Sequence, residues 1–139
     1  MKFPYFKVPN KDPRKKSLLV PWIPVSIIAN DKAKKFLMLV DSGADNCILD
    51  KDVAKFLGIN IHAGEHIETG GIGEAADIYY FDEIYINVGG EEIKTRCGFK
   101  DGYLMNGWIS GVLGRQGFFE HFKVCIDEKS KEIELKSHS

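Results

Sequence analysis

Residues 36–49 of the chain read FLMLVDSGADNCIL. Four apolar residues, LMLV, run directly into Asp41, and this pattern predicts a buried strand that ends in a carboxylate. Ionisation of a carboxyl group is costly where the surroundings are apolar, so such a group needs support from its neighbours. Ser42 offers a hydroxyl to the carboxylate, and Gly43 allows a turn that brings backbone N–H groups close to it. Taken alone, the tripeptide Asp-Ser-Gly at residues 41–43 is compatible with two interpretations: Asp41 has a functional carboxyl group, or it merely caps a turn after the strand.

Regular elements are predicted on both sides of this segment. Upstream, residues 22–29 show the alternation of a strand. A turn at residues 30–32 joins them to residues 35–40, which are almost wholly apolar, and this pattern predicts a hairpin. Downstream, residues 50–57 begin with Asp and are followed by Gly58, which predicts a short helix.

The rest of the chain is rich in strand patterns. We expect residues 115–121 to form one or two helical turns, and the extended segments to include residues 59–69, 78–88, 93–99, 109–114, 123–126 and 132–135. About eight short strands and at most two short helices predict an all-β domain.

The start of the chain differs from the remainder. All five prolines lie within the first 24 residues, and residues 1–16 carry six Lys or Arg against one Asp. Proline removes a backbone donor, so this stretch is unlikely to form regular structure by itself. We therefore expect a basic, proline-containing arm over residues 1–21 and a single domain over residues 22–139.

Charge and cysteine content exclude several classes of protein. The net charge of −1 gives no overall field that would attract nucleic acid or an anionic membrane. Cys47, Cys97 and Cys125 are odd in number and lack CxxC spacing, which is typical of reduced thiols in an intracellular protein. The N-terminus has no apolar core of a secretory signal, and residues 18–29 are too short to span a bilayer. We expect a cytoplasmic protein that binds neither nucleic acid nor membrane.

Three segments together resemble the retroviral-type (retropepsin-like) aspartic proteases, and specifically a single-lobe, non-viral cellular member. LVDSGADNCIL at residues 39–49 resembles the catalytic loop of that family. GGIG at residues 70–73 resembles the tip of the flap, the hairpin that closes over substrate. GVLGR at residues 111–115 resembles the second signature. The segments occur in the family's order, and the resemblance covers about residues 22–136.

The resemblance implies a fold and a site. The fold is a single lobe of the pepsin/retropepsin acid-protease type: a closed, barrel-like β domain with a flap hairpin and one or two short helices. Asp41 is the implied catalytic residue. Arg115 is implied to pair with Asp45, and a buried pair of this kind would bond bidentately. The other implied residues are the loop support, Ser42, Gly43 and Ala44, and the flap and substrate-binding positions, Gly70, Gly71, Ile72, Gly73 and Val112.

The implied reaction needs two carboxyl groups that share one proton. One activates a water molecule and the other donates to the peptide carbonyl oxygen. The chain has a single Asp-Ser-Gly motif, so the second Asp41 must come from an identical subunit across a twofold axis. The predicted function is that of a homodimeric aspartic endopeptidase acting on peptide or protein substrates, without a metal or organic cofactor.

Four other functions can be considered for segments of this sequence. GIGEAA at residues 71–76 fits a dinucleotide fingerprint, but a strand pattern follows it where a helix is required. His62 and His66 are four apart but lack an HExxH order, which disfavours zinc. Cys47 lies in an apolar run and is better explained by packing than as a nucleophile. A non-catalytic peptide-binding or dimerisation module of the same fold stays open.

Overall fold

The computed structural model describes residues 1–70, 75–101 and 107–138. None of the helices in these ranges has the length and apolar character needed to cross a bilayer. The helix α1 covers Lys51–Phe56, and a 3-10 turn covers Ile61–Ala63. The strands in these ranges are β1 (Lys2–Pro4), β2 (Phe6–Val8), β3 (Leu18–Val20), β4 (Trp22–Ala29), β5 (Lys32–Val40), β6 (Cys47–Asp50), β7 (Glu65–Gly70), β8 (Ala75–Val88), β9 (Glu91–Lys100), β10 (Gly111–Leu113), β11 (Phe122–Asp127) and β12 (Glu132–Ser137).

Six of the strands close into a barrel. Their order is β4-β5-β10-β6-β9-β8, and β8 pairs back with β4. Closure leaves no open edge around the ring, and the side chains that point inward fill it. The large, fully buried side chains include Ile23, Ile27, Met38, Leu49, Ile86, Phe99 and Leu113. The predicted all-β, barrel-like domain is confirmed.

The first hairpin of the barrel follows from local sequence. β4 and β5 pair antiparallel from Trp22 opposite Leu39 to Ala29 opposite Lys32. Asn30 and Asp31 turn the chain with φ angles of 51° and 60°, and these two residue types tolerate that left-handed conformation better than most. The predicted hairpin is confirmed.

The helix also matches its sequence signals. The Asp50 side chain accepts a hydrogen bond from the Asp52 N–H at 3.4 Å and so caps α1. Gly58 has a φ of 68°, which suits the residue that follows a helix. Val53 and Ala54 are buried, so one face of α1 covers the barrel.

Three predicted elements are shorter or absent. The extended segment expected over residues 59–69 contains the 3-10 turn, and its strand, β7, begins only at Glu65. The strand expected over residues 109–114 is only β10, and residues 115–121 form turns instead of helix. Gly117 has a φ of 99°, which interrupts a helix, and its N–H donates to the Glu120 side chain at 2.7 Å. The Glu120 N–H reaches back five residues to the Arg115 carbonyl at 3.1 Å, a spacing that no α helix has.

The N-terminal arm has regular structure, contrary to the expectation. β1 pairs antiparallel with β12, and β2 pairs with β3. Tyr5 is buried, and its N–H donates to the Lys131 carbonyl at 2.8 Å. Pro4 ends a strand at the rim of its sheet, where a missing N–H costs little. The proposed boundary between residues 21 and 22 stays a prediction.

Candidate active site

Asp41 directly follows the last residue of β5. Leu113 of β10 lies opposite Val40 in a parallel pairing, and the Asp41 N–H donates to the Leu113 carbonyl at 3.1 Å. The main chain of Asp41 is therefore held by the barrel. Its side chain is partly exposed in the single chain, whereas the sequence pattern led us to expect burial.

Backbone groups support the Asp41 side chain. The Gly43 N–H donates to Asp41 Oδ1 at 2.9 Å, and the Ala44 N–H donates to the Asp41 carbonyl at 3.2 Å. A Cβ atom at Gly43 would lie 3.2 Å from Asp41 Oδ1, which is a tight contact. Ser42 is exposed and, within the described ranges, its hydroxyl makes no hydrogen bond to the carboxylate. The support expected from Gly43 is present and that expected from Ser42 is not.

The segment 114–116 packs against the segment that follows Asp41. The Arg115 N–H donates to the Ala44 carbonyl and the Gln116 N–H to the Asp45 carbonyl, both at 2.9 Å. Gly114 leaves room for this contact, because a Cβ atom there would lie 2.3 Å from the Asn46 carbonyl oxygen. Residues 44–46 and 114–116 are far apart in sequence, and these hydrogen bonds hold their backbones together.

The predicted contact between Arg115 and Asp45 is present. The guanidinium of Arg115 donates to Asp45 Oδ1. The two side chains are 61% and 70% exposed, so the expected burial of the pair is wrong for the single chain. An ion pair in water gains little, because solvent screens the attraction.

The strands β7 and β8 form an antiparallel hairpin where the flap is expected. β7 and β8 pair antiparallel from Glu65 opposite Tyr80 to Gly70 opposite Ala75. The other three predicted tip residues, Gly71, Ile72 and Gly73, lie outside the described residues. The role of the tip remains a prediction.

From the sequence, Trp108, Ile109 and Val112 are candidates either for the walls of a substrate pocket or for plain core, and their positions differ. Val112 is partly exposed and lies between Leu39 of β5 and Ile48 of β6. Ile109 is buried in the interior, and Trp108 is exposed with its ring 5.9 Å from that of Phe6. Of these three residues, Val112 is the one that pairs with β5, the strand that Asp41 follows.

Two residues near the flap were missed by sequence reasoning. Arg96 of β9 forms ion pairs with Asp82 and Glu65, and these hydrogen bonds raise its pKa. Tyr80 is buried beneath Arg96, and burial raises the pKa of its hydroxyl although the nearby positive charge opposes this. No local signal marks either residue, because their partners come from other strands.

His62 and His66 both contact the ring of Tyr79, and His66 also contacts Asp77. His66 Nε2 lies 2.7 Å from Asp77 Oδ1, and the ring stacks on Tyr79 at 4.8 Å. His62 meets the same tyrosine ring edge-on at 4.8 Å. Over the described ranges, no group of three or more His, Cys, Asp or Glu side chains could hold a metal ion.

A cavity of about 840 Å³ lies elsewhere on the barrel. Its lining includes Asn30, Asn60, Glu65 and Tyr85, and no residue of the segment 41–46 takes part. The cavity is therefore separate from the candidate site.

Three solved structures share this architecture. The EIAV protease, in complex with the inhibitor HBY-793, is 25% identical, with a TM-score of 0.50 over 76% of this chain and 88% of that one. A retropepsin-like aspartic protease from Rickettsia conorii is 21% identical, with a TM-score of 0.57 over 97% of this chain and 90% of that one. The fold is that of the retropepsin-like proteases.

The third retropepsin-like structure is the retroviral protease-like domain of Ddi1 from Leishmania major. It is 19% identical, with a TM-score of 0.56 over 84% of this chain and 90% of that one. No family model matches the sequence, and no curated protein matches it. At these identities the last two likenesses concern the fold alone.

Proposed function

We propose that the chain is an aspartic endopeptidase that becomes active as a homodimer, with Asp41 from each copy in one shared site. The observation that carries the proposal is the placement of Asp41. It follows β5, its N–H is bonded to Leu113 and its Oδ1 is bonded to the Gly43 N–H. The likeness to retropepsin-like folds supports an aspartic-protease-like function in general.

The proposed chemistry uses the two Asp41 carboxyl groups as an acid and a base. The ionised carboxyl takes a proton from a water molecule, whose oxygen attacks the carbonyl carbon of the peptide. The protonated carboxyl donates its proton to the carbonyl oxygen. When the tetrahedral intermediate collapses, the C–N bond breaks and the carboxyl that took the proton from water gives it to the nitrogen. The other carboxylate takes a proton back from a hydroxyl of the intermediate, so the pair again holds one proton. Like charges in contact cannot both ionise, so the pair holds a single proton at the start.

The structure leaves one oxygen of Asp41 for this purpose. Oδ1 accepts from the Gly43 N–H at 2.9 Å, which fixes the orientation of the carboxyl plane. Within the described ranges, Oδ2 accepts no hydrogen bond. In the proposed dimer, Oδ2 faces the partner's carboxyl group and the water molecule.

The remaining parts of the proposal concern substrate and location. The β7–β8 hairpin closes over an extended peptide and excludes water from the reacting atoms. Cys47, Cys97 and Cys125 are free, and from these thiols we infer a cytoplasmic location.

Hydrolysis of a mixed peptide library between about pH 4 and 7 tests the function, since carboxyl dyads work in this range. Asp41→Asn should lower cleavage at least about a hundredfold, because an amide cannot exchange the proton. A pepstatin-type inhibitor should block the wild type. Asp31→Asn is a matched control, because Asp31 is an exposed turn residue and its replacement should leave cleavage unchanged.

Two results would contradict the proposal. Equal cleavage by wild type and Asp41→Asn would remove the aspartyl mechanism. A folded protein that binds library peptides and cleaves none would instead indicate a peptide-binding module of the same fold.

A further inference from the structure

One arginine joins both sides of the root of the flap hairpin. Arg96 Nη1 donates to Asp82 Oδ1 at 2.7 Å, and Nη2 donates to Glu65 Oε2 at 2.9 Å. Glu65 is the first residue of β7. Asp82 lies where the β8–β9 pairing shifts register, between Phe81 and Ile84. A planar guanidinium has donors in a fixed fork, so it can hold two carboxylates in one geometry.

A tyrosine connects this arginine to the catalytic loop. The guanidinium carbon of Arg96 lies 4.6 Å from the centre of the Tyr80 ring. Tyr80 is 6% exposed and lies opposite Gly98 of β9, which in turn lies opposite Ile48 of β6. Ile48 and Asn46 both belong to the segment 39–49 that contains Asp41, and Asn46 lowers the pKa of the Tyr80 hydroxyl. The packing therefore runs from the flap root through Arg96 and Tyr80, across Gly98, to that segment.

The packing leaves a defined place for the tyrosine ring. Gly98 lies opposite Tyr80 in the β8–β9 pairing. A Cβ atom at Gly98 would lie 2.9 Å from the ring carbon Cε1 and 2.5 Å from Ile78 Cγ2. Glycine at this position leaves room for the ring, and the ring in turn gives Arg96 an aromatic face.

We propose that Arg96 and Tyr80 are positioning residues that hold the root of the flap hairpin in register with the catalytic loop. The base of the β7–β8 hairpin is then held in one orientation relative to β9 and β6. The catalytic part of this proposal rests on the proposed function, whereas the mechanical part concerns the single chain alone.

Solvent limits what these ion pairs contribute to stability. The Arg96 side chain is 36% exposed and its two partners are more exposed, so each pair alone contributes little to overall stability. A purely structural surface network would therefore change nothing beyond a small shift in unfolding free energy. If Arg96 positions the hairpin, its substitution also makes local opening of β7 more frequent and changes the kinetics of peptide cleavage.

Hydrogen exchange in the Asp41→Asn background tests the mechanical part without any need for activity. Arg96→Gln should speed exchange of the bonded β7 amides about tenfold, the effect of losing roughly one net hydrogen bond, with β4 unaffected. Lys94→Gln is the matched control, because Lys94 is on the same strand and its pair with Glu83, at 3.5 Å, joins β9 to β8 without involving β7. Arg96→Lys should restore part of the protection. Unchanged β7 exchange in Arg96→Gln would overturn the proposal.

Kinetics of the wild-type background test the catalytic part. Tyr80→Phe keeps the ring and removes the hydroxyl that meets Asn46, so it should raise KM several-fold with a smaller change in kcat. Arg96→Gln should lower kcat/KM by about tenfold, and Arg96→Lys should recover part of that loss. Kinetics identical to wild type in both Arg96→Gln and Tyr80→Phe would overturn the catalytic part. If the wild type cleaves nothing, the proposed function fails while the exchange result still decides the mechanical part.

Discussion

The N–H of Asp41 donates to the carbonyl oxygen of Leu113 at 3.1 Å, which joins the segment 39–49 to the segment 111–115. The two residues come from opposite halves of the chain and meet because β10 lies between β5 and β6. The candidate site is therefore a product of barrel closure. Substitutions that loosen this junction should disturb Asp41 even where they do not touch it.

Gly114→Ala should destabilise the protein at this junction. A Cβ atom there would meet backbone atoms, namely the Asn46 carbonyl oxygen at 2.3 Å and the Ala44 carbonyl oxygen at 2.8 Å. Overpacking against backbone costs about 1–3 kcal/mol, and urea unfolding would measure it. Gly107→Ala is the control, because no atom of the described residues lies within 4 Å of its Cβ position, and it should change stability by less than about 0.5 kcal/mol. Equal stability of the two variants would contradict this packing.

The ion pair between Arg115 and Asp45 should contribute little in the single chain. Its side chains are 61% and 70% exposed, so a double-mutant cycle with alanine should give a coupling energy below about 1 kcal/mol. The Lys94–Glu83 pair is similarly exposed and should give a coupling of the same small size. A coupling of several kcal/mol at concentrations where the chain is monomeric would contradict the observed exposure.

Local signals predicted the first hairpin and the helix well. The Asn-Asp turn, the Asp50 cap and Gly58 act within a few residues of the structure that they determine. The N-terminal arm was predicted poorly for the opposite reason. Phe3 lies opposite Ile133, at the other end of the chain, and no local pattern contains that pairing.

In the candidate site, too, the local contacts could be predicted from the sequence and the long-range contacts could not. The motif predicts the contact between Gly43 and Asp41, because it depends on residues two apart. The sequence gives the charges of Arg115 and Asp45 but not their exposure, which depends on what covers them. The cluster of Arg96 with Glu65 and Asp82 draws on three strands and could not be read from spacing.

The β11–β12 turn should contribute to acid sensitivity through Asp127. Hydrogen bonds from Ser130 and from the Lys129 N–H lower the pKa of Asp127. A carboxyl whose pKa is lower in the folded state stabilises the protein above its unfolded pKa, near 3.9, and this contribution is lost as the pH falls through the folded value. Thermal unfolding of Asp127→Asn should thus show a lower Tm at pH 7 and a smaller further drop towards pH 2. Ser130→Ala should also lower the Tm at pH 7 and reduce the further drop towards pH 2, but each change should be smaller than in Asp127→Asn. Parallel pH profiles for Asp127→Asn and wild type would contradict this.

The three thiols should differ sharply in reactivity. Cys125 is exposed, whereas Cys47 and Cys97 are buried. Hydrogen bonding to Cys47, together with burial, raises the pKa of Cys97 well above its usual value, which disfavours the reactive thiolate. A thiol reagent at pH 8 should titrate one group quickly, Cys125→Ser should abolish that phase, and the other two should react only after unfolding. Fast reaction of more than one thiol in the native wild type would contradict the burial.

The shared site is tested most directly by mixing subunits. Wild-type and Asp41→Asn chains are unfolded together, refolded at a fixed total concentration, and assayed for peptide cleavage as the wild-type fraction varies. If each site needs Asp41 from both copies, mixed dimers are inactive and activity follows the square of that fraction, about a quarter of full activity in an equal mixture. Activity that falls in simple proportion, to about half, would mean that each chain works alone and would contradict the account.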